Sequence, residues 1–143
     1  MTVHYTMHEG RITLPAGYSD RTVNIFVQEP MTNGLSNLQV ARDTARQGET
    51  LDDYVNRQIA LLKRKIKGLS VTSREAVVLA GCRADGIEIE TRYQSNGKSV
   101  YQRQCAVFMA NDRALIFTAT NTVPFTSEQL TIWRRTTDTF VPA

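Results

Sequence analysis

The chain is short of cysteine, histidine and proline, with two, two and four residues respectively, and each shortage removes a class of protein. Cys82 and Cys105 lie far apart, lack CxxC spacing and fall in stretches that read as strands, where a thiol acts as a small apolar side chain; a disulfide between them is not needed. His4 and His8 stand four apart on an apparent strand, but no third ligand joins them at metal-binding spacing, so no metal centre is expected. No window is apolar over the length needed to cross a bilayer. The opening "MTVHYTMHEGRITLP" has no charged segment followed by an apolar run, so export is not expected and the protein should be made and kept in the cytoplasm. There are no repeats and no low-complexity tracts.

What remains is an ordinary globular composition: 143 residues, 41% hydrophobic and 22% charged, enough to build one core without staples. A single domain spanning residues 1–143 is the expectation. The net charge of +3 is mildly basic and permits nucleic acid or an acidic partner without demanding either.

Alternation with a period of two dominates the chain. "YTMHEGRITLP" splits at Glu9-Gly10 into two short strands ending at Pro15. "RTVNIFVQE" sets Val23, Ile25 and Val27 against Asn24, Phe26 and Gln28, and stops at Pro30. After a turn at Asn33-Gly34, "NLQVAR" points Leu38 and Val40 the same way. A polar loop over 43–49 leads to a helix from Leu51 to about Ile66, with Thr50 as N-cap, Asp52 and Asp53 in its first turn, Lys63, Arg64, Lys65 and Lys67 in its last, and Gly68 to stop it. Strands follow in "LSVTSREAVVLAG", "CRADGIEIETRYQS", "KSVYQRQCAVFMA" and "RALIFTAT", with tight turns at Asn96-Gly97 and Asn111-Asp112. A two-residue turn at Asn96-Gly97 sets Tyr93 opposite Val100, Thr91 opposite Gln102, Ile89 opposite Gln104 and Ile87 opposite Ala106. The other face then pairs Arg92 with Tyr101 and Glu90 with Arg103. A last helix starts at Thr126 or Ser127, turning Leu130 and Trp133 inward, with Phe140 behind it. The fold class is α+β: a mostly antiparallel, twisted sheet of six to eight strands, one inserted helix and one C-terminal helix.

Catalysis finds no foothold in this pattern. Asp52 and Asp53 are neighbours that do not face each other on a helix, and the macrodipole accounts for them. Glu88 and Glu90 alternate with isoleucines, and Arg103 neutralises one of them. No phosphate loop, nucleophile elbow or Cys/His pair is present, so no catalytic residue and no cofactor are expected. The basic run Lys63 to Lys67, with Arg134 and Arg135, offers an alternative in which the chain binds nucleic acid or an acidic partner.

The unusual feature is an amide on each of two apolar surfaces. On the wheel of the central helix, Leu51, Tyr54, Val55, Ile59, Leu62 and Ile66 make one face, and Gln58 lies inside it. In "SVYQRQCAVF", Val100, Gln102, Gln104, Ala106 and Phe108 share a side. A buried, unpaired amide costs a few kcal/mol, roughly 1–3 by mutational measures. Each glutamine therefore bonds within the core, reaches water at its edge, or lines a groove that offers hydrogen bonds to an apolar ligand.

The order of segments adds a family likeness. "YTMHEGRITLPAGYSDRTVNIF", the helix "LDDYVNRQIALLKRKI", the "YQRQ" strand and the closing "FTSEQLTIWRRTTDTF" resemble, over essentially the whole chain, the Eag chaperones. These are effector-associated chaperones of bacterial type VI secretion, relatives of DcrB with a PsbP-like α+β fold. DcrB-type relatives begin with an export signal, and the departure here points to the cytoplasmic branch. The resemblance implies a non-catalytic, dimeric chaperone that binds the N-terminal transmembrane segments of a secreted toxin, often one with a PAAR domain, until it is loaded on the secretion spike. It implies no nucleic acid as partner and no insertion of the chaperone into membrane. Ile25, in the matched "DRTVNI", carries over directly as a binding residue. The wheel and the alternation add Val23, Leu38, Val40, Gln58, Leu62, Val100 and Gln102 to the expected groove.

Overall fold

The computed structural model describes residues 2–29 and 34–143, so the expected stop at Pro30 and turn at Asn33-Gly34 lie outside the described residues. Ten elements follow in order: β1 (Val3–Met7), β2 (Gly10–Leu14), β3 (Val23–Val27), β4 (Asn37–Thr44), α1 (Leu51–Lys65), β5 (Ser70–Leu79), β6 (Ala84–Ser95), β7 (Lys98–Phe108), β8 (Arg113–Asn121) and α2 (Ser127–Asp138). β1 and β2 form a separate two-stranded hairpin, and the other strands form one antiparallel sheet in the order β3-β4-β8-β7-β6-β5. The α+β architecture is the one the alternation and the two amphipathic segments imply.

Turn chemistry fixes the centre of this sheet. Asn96 and Gly97 both take positive φ, 52° and 78°, the primed turn whose twist matches the flanking strands. The resulting register pairs Tyr93 with Val100, Thr91 with Gln102, Ile89 with Gln104 and Ile87 with Ala106, as the sequence predicts. Asn111 and Asp112 also take positive φ between β7 and β8. Two stretches differ from the reading of the sequence. β4 continues through Asp43 and Thr44 instead of giving way to loop, because β8 pairs with it to Arg113. Cys82 lies in the β5–β6 turn, not in a strand; Cys105 is a strand residue and fully buried, and both thiols are free.

Each helix is closed at its start by a reciprocal cap. Thr50 Oγ1 accepts from the Asp53 amide at 3.1 Å while Asp53 accepts from the Thr50 amide, and Thr126 and Gln129 repeat the device in α2. The helices lie on opposite faces of the sheet. α1 packs Tyr54 and Val55 against Ile87, Ile89, Ala106 and Ala114. α2 packs Trp133 against Leu79, Cys105, Val107, Phe117 and Ala119, and Phe140 closes behind it with its ring edge-on to Phe117. Gly81 permits the end of α2 to dock: its N–H donates to the Asp138 carbonyl at 2.7 Å, and a Cβ there would run into that same carbonyl.

Candidate functional site: a groove beside the central helix

α1 packs chiefly over β6 and β7, touching β8 at Ala114 and β4 at Asp43, and much of the β8 and β4 half of the same face beside it is open floor. The result is a groove of about 380 Å³. Tyr54, Gln58 and Leu62 form its helical wall, and Gln39, Ala41, Gln102, Gln104, Ile116 and Thr118 its floor. The register explains this composition. Gln39 stands opposite Thr118 and Thr118 opposite Gln104, so one straight row of polar side chains crosses three strands on the side facing α1.

The wall is rigid at its N-terminal end. Tyr54 is 1% exposed, stacks edge-on against Phe108 and donates its hydroxyl to Asp43 Oδ2 at 2.9 Å. Burial, reinforced by that hydrogen bond, pushes the phenol well above its usual range, so it stays a neutral donor. Arg57 lies over the Tyr54 ring and grips Glu49 through two bonds of 2.8 Å. That grip holds the Glu49 carboxyl down at about 2. Gln58, half-buried, donates to Asp43 Oδ2 at 3.4 Å, and Gln102 donates to Thr120 Oγ1 at 3.3 Å. Both contacts are long, and among the described residues neither amide oxygen accepts from a protein donor, which leaves each free to accept from a ligand.

Of the residues expected to line a groove, the structure brings Gln58, Leu62 and Gln102 together around this one. Val100 shares the face with Gln102, two residues nearer the β6–β7 turn, where it pairs with Tyr93. Val23 and Ile25 share it too, since they pair with Ala41 and Gln39, but they stand outside the cavity on edge strand β3, 48% and 61% exposed. Leu38 and Val40 are a correction. Side chains alternate, and with Gln39 and Ala41 facing α1, Leu38 and Val40 must face the other way; they pack in the core beneath α2. Gln39, Tyr54, Asp43 and Thr118 are site residues the sequence reading left out. The alternation through "NLQVAR" offered Gln39 as readily as Val40; only the β3–β4 register decides between them.

Elsewhere the chemistry is structural. Glu88, 1% exposed, accepts from Trp133 Nε1 at 2.7 Å and from Arg103 Nε at 2.9 Å, and Arg103 reaches Glu90 at 2.9 Å as well. Burial alone would lower the Arg103 pKa; the charges and hydrogen bonds of Glu88 and Glu90 outweigh it, so the guanidinium is held charged. Burial pushes the Cys105 thiol up to about 12, which leaves it an inert apolar group at neutral pH. His4 bonds Thr13 in the exposed hairpin and His8 sits in its turn. Among the described residues no group of three potential ligands could hold a metal ion, and no helix is long and apolar enough to cross a membrane.

A six-stranded antiparallel sheet, sealed by one helix and half-roofed by another, defines a domain of the α+β class with a side groove of amides and aliphatics. The chain belongs to the DcrB family, whose pattern it matches over residues 9–139. It is similar to a curated protein of Pseudomonas aeruginosa named Effector EagT6, with 24% identity over 141 residues, covering 96% of this chain and 94% of that one. Its fold is that of PA94, a Pseudomonas aeruginosa protein of unknown function, with a TM-score of 0.75 and 22% identity, covering 99% and 97% of the two chains. A looser likeness, TM-score 0.49 at 12% identity, links it to cyanobacterial PsbP from Synechocystis, covering 96% and 88%.

Proposed function

We propose that this chain is a non-catalytic chaperone of type VI secretion that binds the N-terminal transmembrane segments of a secreted effector and shields them until the effector is loaded on the spike. The carrying observation is the groove itself, where Gln58 and Gln102 present half-buried amides among Leu62, Ile116 and Ala41. An apolar helix held away from lipid gains about 25 cal/mol for each Å² covered. Its small polar groups and exposed backbone carbonyls still need partners, and a neutral amide supplies them as glutamine does between membrane helices. The likeness to EagT6 over nearly the whole of both chains supports the same reading. Val23 and Ile25, exposed on β3 and facing the groove's side of the sheet, extend the apolar surface beyond the cavity.

In this reading one domain over residues 1–143 works in the cytoplasm as a homodimer, on effectors that carry a PAAR domain after their membrane segments. Support for a second copy comes from the β1–β2 hairpin, which is too small to be stable alone and leaves Val3, Met7 and Ile12 more than 40% exposed. The test is co-purification of the chain with a PAAR effector, with and without its N-terminal apolar segments. The complex is expected to form only when they are present, and to weaken when Gln58→Ala and Gln102→Ala are combined in a protein that keeps its melting temperature. A complex that survives removal of the segments overturns the proposal.

A further inference from the structure

We infer that the end of the groove nearest the β6–β7 turn is a cationic seat for an acidic stretch of polypeptide flanking the client's apolar segment, read by Lys65 and Lys98. The inference rests on the chaperone reading and adds to it a rule for which clients fit.

Two elements reach this end independently, and both finish in lysine. On α1 the wall runs through Tyr54, Gln58 and Leu62. Seven residues beyond Gln58, two turns and nearly the same angle around the helix, stands Lys65. On β7 the floor residues Gln104 and Gln102 belong to an alternating row that continues through Val100 to Lys98. Both elements finish toward the β6–β7 turn. From Lys67 the chain turns at Gly68 into Ser70, which pairs with Arg92, one residue along from the Thr91 that faces Gln102; Lys98 pairs with Ser95 just beyond. Lys63, Arg64 and Lys67 thicken the charge, and all five cations are exposed.

None of the five makes an ion pair with a described residue, so their charge is available to a ligand, as is that of Arg21 and Arg42 on the groove lining. Helix polarity accounts for cations in the last turn of α1. It accounts neither for a lysine in line with the groove-facing side chains nor for Lys98 on a strand. An apolar segment lying along α1 and β7 would leave the floor at the end these two ammonium groups mark, so the residues they meet would belong to the same molecule. That tethering raises their effective concentration at the seat and favours a polypeptide flank over a separate anion. Acidic flanks would speed encounter and fix the direction in which the segment lies, both sensitive to salt.

The test uses a soluble carrier fused to an apolar Leu/Ala segment of about 20 residues, flanked at either end by four acidic residues or four serines. At low salt the acidic probe is expected to bind roughly fivefold more tightly than the serine probe, and better with the acids at one end than at the other. The advantage should vanish at about 0.5 M salt and in a Lys65→Ser, Lys98→Ser double variant that keeps its melting temperature and its affinity for the serine probe. Equal binding of acidic and serine probes overturns this inference while leaving the chaperone reading in place; binding of neither overturns both. Capture of phosphatidylglycerol vesicles that the double variant loses, without any flank preference, assigns the lysines to a membrane surface instead and overturns the seat.

Discussion

The two faces of the six-stranded sheet are built from the same alternating strands and end up as different materials. The face under α2 is closed: Trp133, Leu79, Cys105 and Val107 are each no more than 1% exposed, and even the carboxylate of Glu88 is sealed there with fixed donors. The face under α1 is closed chiefly over β6 and β7, and the floor beside the helix carries a row of neutral groups, Gln39, Thr118 and Gln104, with the charges of Asp43, Arg42 and Arg21 elsewhere on the lining. The difference follows from what each environment tolerates. A charge can be buried only where its partners never leave, because losing one strands it in a low dielectric. An amide costs far less to strip of water and can exchange water for a new partner, which suits a surface that is empty at one time and covered at another.

The contrast breaks most visibly at Arg103. Arg103→Ala strips Glu88 and Glu90 of their shared cation and should cost about 3–5 kcal/mol, read as a lowered denaturant midpoint; a loss under about 1 kcal/mol would mean the closed face does not depend on its ion pairs. Gly81→Ala, which sets a Cβ against the Asp138 carbonyl at the end of α2, should cost about 1–3 kcal/mol by the same measurement. On the open face, Gln58→Ala with Gln102→Ala removes two long hydrogen bonds at half-buried sites and should change stability by less than about 1 kcal/mol. A double variant that melts as early as Arg103→Ala would make the two faces alike and the groove part of the core.

How much of this was legible depends on whether the signal was local. The β6–β7 hairpin was readable to the residue, because Asn96-Gly97 dictates a turn geometry and the turn dictates every pair behind it. The helix ends were readable for the same reason: Thr50 and Thr126 act within three residues. Gln58 and Gln102 showed themselves as amides breaking apolar patterns. What stayed hidden was long-range. Leu38 and Val40 look like natural groove residues beside Val23 and Ile25, yet the β3–β4 register is offset by one residue from that reading and sends them beneath α2. Asp43 read as loop because its partner strand, β8, lies some seventy residues away in sequence. The half-open roof could not be read at all, since it depends on which strands α1 happens to cover.

The smallest expected effect tests how α1 itself is held. α2 is tied by a buried network, whereas the start of α1 is tied by the half-buried pair of Glu49 and Arg57. The Glu49 carboxyl falls from an ordinary value of 4.5 to about 2, chiefly through its hydrogen bond from Arg57 and then through the Arg46 amide. A carboxyl depressed in the folded state binds fewer protons there than in the unfolded chain, so its stabilisation is present in full above pH 4.5 and declines as pH falls toward about 2. Thermal melts of the wild type and of Glu49→Gln should therefore differ at neutral pH and converge through that window, with salt narrowing the gap at every pH. A gap that is unchanged at the acid end would show that the side chain's shape rather than its charge fastens α1. The anchored end of the groove wall would then rest on Tyr54, through its packing and its hydrogen bond to Asp43, and not on the Glu49 charge.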